Sequence, residues 1–238
     1  MAAQVTVTPG KMIRFAKDGD SKWRASGRPS RFANLRSAGS ELAVALRPYH
    51  DISNTIVLGI VAGGVPVAHE VASGLNQPFD LILRRTLLMP RGPGSAVSAV
   101  NVAGSLVLPE ELVPRAATHS TPLDYFLSDA ISALEQRQRI CRRERLARNL
   151  NRKKVIIVDC GIRTGFTMQS AIVAVRTRNP AQIIAAVPVG SIDGCDLIST
   201  MVDEFVCLAQ PEPLGHVGMW YDDFSRPEDN HIHELLHA

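Results

Sequence analysis

Apolar residues along this chain follow two habits. Short runs rich in Val and Ile occupy 55–61 (TIVLGIV), 79–83, 155–158, 182–187 and 204–208. Each reads as a strand buried on both faces. Between them, at 37–46, 66–74, 166–178 and 194–202, apolar residues recur at helical spacing. Pro66 suits an early helical position, Gly74 a helix stop, and Asn179-Pro180 another. Strands alternating with helices of this length predict an α/β fold with a parallel sheet flanked by helices.

The middle of the chain breaks the rhythm. Residues 86–95 carry Pro90, Gly92, Pro93 and Gly94, which predicts a mobile loop rather than regular structure. Alternation at 97–102 and 106–108 around Gly104-Ser105 predicts a hairpin or edge strands, and 123–150 one long helix or two. Residues 1–34 are polar and basic and read as an arm or irregular cap ahead of a single domain at 35–238. The tail HIHELLHA reads as a frayed polar end in which His231 and His233 find no metal.

Composition adds a little. The content is 45% hydrophobic and 21% charged, which describes a globular protein, and a net charge of +3 makes no case for nucleic acid. Basic residues crowd 137–154, which reads as a solvated helix face. Cys141, Cys160, Cys195 and Cys207 show no metal spacing and suit free thiols in the cytoplasm. No apolar run approaches the roughly 18 residues of a membrane span.

Candidate chemistry concentrates at two strand ends. The run VIIV ends in Asp159-Cys160-Gly161-Ile162-Arg163-Thr164-Gly165-Phe166-Thr167, just before a helix. Two hydroxyls, Arg163 and the free amides of a helix N-terminus make an anion site there. The first strand ends in Ala62-Gly63-Gly64, where two glycines allow a ligand close to the backbone. Strand 79–83 leads to Arg84 and Arg85, either of which could serve an anion. No Ser-His-Asp order, zinc signature or dinucleotide fingerprint competes.

The stretch from Val155 to Met168 resembles the phosphoribosyl pyrophosphate motif of the type I phosphoribosyltransferases, and the resemblance extends over roughly Leu35 to Phe224. It implies that family's parallel sheet flanked by helices, with a small hood from the termini. It also implies roles. Asp159 holds ribose as the catalytic acid; Gly161, Arg163, Thr164, Gly165, Phe166 and Thr167 hold the 5-phosphate; Ala62, Gly63, Gly64 and Arg85 hold the pyrophosphate. Trp220, Tyr221 or Phe224 could stack on an acceptor base, although packing is the stronger expectation for them.

Three positions depart from the family's pattern. Its second acid is Cys160, the arginine before its two glycines is Ala62, and a customary lysine is Thr86. A thiol is a poor ligand for a hard cation, so the Mg²⁺ that the family uses is weakened as a cofactor, and no protein metal site is expected. Two readings follow. One is a transferase acting on phosphoribosyl pyrophosphate or a nucleoside 5-phosphate with reduced activity. The other is a catalytically degenerate module that binds nucleotides or sugar phosphates. Either takes a small phosphate ester as partner, without membrane or nucleic acid, and a homodimer is compatible with both.

Overall fold

The structure is a computed structural model that describes residues 13–16, 31–88, 96–102, 105–107 and 122–238. Eight strands form one sheet in the order β1-β8-β7-β6-β2-β3-β4-β5. They are β1 (Ile13–Ala16), β2 (Thr55–Ile60), β3 (Phe79–Leu88), β4 (Ala96–Val102), β5 (Ser105–Val107), β6 (Lys154–Val158), β7 (Gln182–Val189) and β8 (Glu204–Ala209). The five strands β8, β7, β6, β2 and β3 are mutually parallel. Antiparallel strands finish both edges, with β1 on β8 and the β4–β5 hairpin on the far half of β3.

Side chains on a strand alternate between faces, and here each face has its own core. Val57, Ile156, Val158, Ile184, Ala186 and Val206 join one cluster with α1 (Leu35–Ala45), α2 (Gly64–Leu75) and the last helix. Ile56, Leu58, Ile157, Ala185 and Phe205 point the other way. They meet Met168, Ala171, Ile172 and Val175 of α4 (Phe166–Arg176) and Cys195 and Ile198 of α5 (Ile192–Ser199). The uninterrupted apolar runs of the sequence therefore follow from burial on two sides.

Five expectations need correction. The segment 86–95 is not wholly irregular, because β3 runs on through Leu88 and Thr86 pairs with Ser98; residues 89–95, including Arg91, lie outside the described residues. Within the basic arm, 13–16 form an edge strand, since β8 offers an open ladder there. The long helix α3 (Pro122–Arg142) stops well before residue 150. Its last residue turns inward, and Arg142 pairs with buried Asp80 at 2.5 Å and donates to the Leu81 carbonyl at 3.0 Å. Arg143 then takes a left-handed φ of 48°, and the Arg148 amide donates to the other Asp80 oxygen at 2.8 Å. So part of the basic run is buried, held by one carboxylate, rather than a solvated face. The tail is not frayed either: α6 (Asp229–His237) buries Ile232 and Leu236, and Arg137 of α3 pairs with Asp229 at 2.7 Å.

Connectivity fixes where a ligand can sit. From β2 the chain moves outward to β3, whereas β6, β7 and β8 progress in the opposite direction. The carboxyl ends of β2 and β6 thus flank a topological switch point, where open α/β sheets form their crevice.

Candidate functional site

A cleft of about 200 Å³ opens at that switch point. One wall is the segment that follows β6. Burial of Val155 to Val158 carries Asp159 to the end of the sheet, where it is 9% exposed and lines the cleft. The next residues make a short excursion tied down by the neighbouring strand. The Ile162 amide donates to the Val189 carbonyl at 2.9 Å, and the Ser191 amide donates to the Ile162 carbonyl at 2.8 Å. The Ser191 hydroxyl also donates to the Arg163 carbonyl.

Gly165 closes the turn with φ of 82°, a left-handed conformation that favours glycine. Helix α4 starts there without a side-chain cap. Its first amides are therefore left to water or a ligand, and the helix dipole adds to their attraction for an anion. Gly161, Arg163, Thr164, Gly165 and Thr167 all line the cleft. Phe166 does not: it is 56% exposed.

The other wall comes from the turn after β2. Gly63 lines the cleft, and a Cβ there would stand 2.8 Å from Cys160 Sγ, so only glycine lets the two turns approach this closely. Gly64 packs behind the wall, where a Cβ would come within 2.8 Å of the Val158 carbonyl oxygen. Ala62, which follows a cis Val61–Ala62 peptide, packs against the core and adds no charge. Of the two β3 arginines, Arg84 lines the cleft; the Arg85 side chain lies outside the described residues.

Electrostatics differ between groups only a few ångströms apart. Burial pushes the Asp159 carboxyl above its ordinary range, while Arg84, the Cys160 N–H at 2.8 Å and Arg226 pull it back. Burial and the Asp159 charge drive the Cys160 thiol well up, so it stays neutral. One buried carboxylate beside a neutral thiol does not suit a hard divalent cation. Among the described residues no group of three or more His, Cys, Asp and Glu could hold a metal.

His216, Val217 and Arg226 also line the cleft, and none was picked out from the sequence. Their route in is a short turn of 3₁₀ helix at Val217–Trp220, with the Tyr221 hydroxyl donating to the Cys160 carbonyl at 2.5 Å. The two terminal segments meet beside it, where the amides of Asp222 and Asp223 donate to the carbonyls of Phe32 and Ala33. The aromatic residues weighed for stacking on a base are engaged in packing, the stronger expectation for them. Tyr221 is buried, Trp220 donates to the Leu214 carbonyl at 2.9 Å, and Phe224 carries the Arg226 guanidinium 5.1 Å above its ring.

A cleft at the switch point of a five-stranded parallel sheet, with an uncapped helix on one side and a glycine turn on the other, is the architecture of the type I phosphoribosyltransferases. Residues 34–222 match the family model of the phosphoribosyl transferase domain, and the chain belongs to that family. Two curated Mycobacterium tuberculosis sequences, from strains CDC 1551 / Oshkosh and H37Rv, each carry the name "Putative phosphoribosyl transferase". They are 32% identical to this chain over 205 residues, which is 86% of this chain and 46% of theirs. The chain thus spans about half the length of the curated relatives it matches. The structure of TT1426 from Thermus thermophilus is similar with a TM-score of 0.74 at 32% identity, covering 87% of this chain and 97% of that one. Among the described residues, no helix is long and apolar enough to cross a membrane.

Proposed function

We propose that this chain binds phosphoribosyl pyrophosphate or a nucleoside 5-phosphate and transfers the ribosyl group slowly. The observation that carries the reading is the convergence of Arg163, Thr164, Gly165 and Thr167 on a cleft that also presents Asp159. The hydroxyls, Arg163 and the first-turn amides of α4 take the 5-phosphate. Asp159 accepts from the ribose hydroxyls. The backbone of Ala62, Gly63 and Gly64 lies along the diphosphate, with an arginine of β3.

In such a transfer the bond from ribose C1 to diphosphate breaks, a bond from C1 to the acceptor nitrogen forms, and that nitrogen loses its proton. Positive charge develops on the ribose ring and negative charge on the leaving diphosphate, so preorganised charges in the cleft lower the barrier. Asp159 faces the first of these. Cys160 contributes nothing to it, since a neutral thiol replaces the family's second acid.

The neutral Cys160 also favours a second reading, in which the cleft holds a nucleotide or sugar phosphate without turnover. Calorimetric titration separates the two. Binding of both phosphoribosyl pyrophosphate and a nucleoside 5-monophosphate, with slow diphosphate release in the presence of a base, is the expected result. Binding with no release of diphosphate from any base selects the second reading. Failure to bind either ligand, with or without Mg²⁺, removes both.

A further inference from the structure

The family match ends at residue 222, yet the chain re-enters the cleft four residues later. Arg226 lines it beside Gly63, where an added methyl group would stand 3.7 Å from the arginine Nε. That is the wall on which Ala62 stands in place of the family's arginine.

Arg226 is exposed, but its placement is not casual. The guanidinium lies 5.1 Å from the centroid of the Phe224 ring, a cation–π distance. Phe224 in turn packs at 5.0 Å against Tyr221 and edge-on to His216 at 6.3 Å. Tyr221 leans on Phe32 at 5.5 Å, and its hydroxyl is bonded to the Cys160 carbonyl. A train of rings therefore runs from the floor of the cleft to the arginine on its rim. No described carboxylate forms an ion pair with Arg226, and its side chain lines the cleft.

We infer that Arg226 is a diphosphate-recognising cation of this chain, delivered from the C-terminal segment to the Gly63 wall. The inference rests on the proposed reading of the cleft and names the residue that sets preference between two ligand classes. Phosphoribosyl pyrophosphate carries a diphosphate to that wall, whereas a nucleoside monophosphate has no diphosphate to place there. A guanidinium can grip two diphosphate oxygens at once and has no comparable partner on a neutral base.

The test is calorimetry of wild type and Arg226→Gln with phosphoribosyl pyrophosphate and with adenosine 5-monophosphate, Mg²⁺ held constant. The side chain is exposed, so the substitution leaves the fold intact, checked by an unchanged melting curve. The expected result is a loss of roughly tenfold to a hundredfold for the diphosphate ligand, the scale of a hydrogen bond to a charged group. Adenosine monophosphate should change less than twofold, and Arg226→Lys should recover part of the loss. Equal effects on both ligands, or no effect on either, overturn the inference and leave the phosphate loop standing. Wild type that binds the monophosphate but not the diphosphate does the same. Wild type that binds neither overturns the reading of the whole cleft.

Discussion

The two walls of the cleft reach the same end by different means. The β6–α4 wall is local: Asp159, Arg163, Thr164, Gly165 and Thr167 lie within nine consecutive residues, and the backbone of that stretch forms the site. The β2–α2 wall is assembled. Gly63 supplies a close approach, but the side chains around it come from β3 as Arg84 and from the C-terminal segment as Arg226 and His216. A site written into one loop can be damaged at one position and keep its remaining contacts. A site assembled from three segments can exchange one cation for another, because only the location of the charge matters to a diphosphate. The loss of charge at residues 62 and 86 is therefore less telling than the loss at 160, where a buried position allows no substitute.

Turnover probes this difference most strongly. If each of the three departures costs about 2–3 kcal/mol in the transition state, as one preorganised donor does, transfer slows by about 10⁴-fold or more. If Arg84 and Arg226 stand in on the assembled wall, the loss at Cys160 alone leaves about 10²-fold. The expected rate of diphosphate release is thus below about 0.1 s⁻¹ across a panel of purine and pyrimidine bases with Mg²⁺, against about 10 s⁻¹ for an ordinary enzyme. Turnover of about 1 s⁻¹ or faster would show that Cys160 is no lesion.

Restoring the acid at that position should be harder than the sequence suggests. Cys160 is 7% exposed, with Sγ against Gly63 and Asp159 as its neighbour. A carboxylate placed there must be desolvated beside a like charge. Cys160→Asp is expected to cost about 1–3 kcal/mol of stability in urea unfolding, the scale of burying a poorly paired polar group. It should gain affinity for phosphoribosyl pyrophosphate only when Mg²⁺ is present. A variant as stable as wild type that binds the ligand tightly without Mg²⁺ would contradict the account of this wall.

On the local wall, Thr167→Val removes one hydroxyl and keeps the size of the side chain. Nucleoside monophosphate affinity should fall by about 1–2 kcal/mol, the worth of a hydrogen bond to a charged group. The diphosphate ligand should weaken by the same factor, since both carry the 5-phosphate. A titration that finds the variant unchanged would move the phosphate off this loop.

This contrast also decides what could be read from the sequence. The sheet was legible because runs such as VIIV and TIVLGIV are buried on both faces, and the cleft-lining loop after β6 because its groups are contiguous. Arg226 gave no such signal. It lies 67 residues from Asp159 in sequence, and it enters the cleft only because Tyr221 and Phe224 pack where they do. The end of α3 was invisible for a similar reason. Nothing local marks Arg142 as buried; its carboxylate partner, Asp80, lies on a distant strand. Strand β3 overran its predicted end at Leu83 because pairing with β4 outweighs the weak turn signals of 86–88.

The smallest effect concerns Asp159 itself and separates its cost to the fold from its use in the site. Its folded-state pKa is raised by burial, so between the ordinary value of 3.8 and that raised value the native protein binds more protons than the unfolded chain. Stability from this group is therefore complete below about pH 3.8 and is lost as pH rises through the folded value. Asp159→Asn has no charge to desolvate, and its amide oxygen can still accept from the Cys160 N–H. In urea unfolding the variant should match wild type at the acid end of the series and gain on it as pH climbs towards neutrality. Its nucleoside monophosphate affinity should move the other way, because an amide is a weaker acceptor for ribose hydroxyls than a carboxylate. A variant that loses stability relative to wild type as pH rises would mean that Arg84 and Arg226 outweigh burial. The acid would then be an anchor of the fold rather than a charge held ready for a ligand.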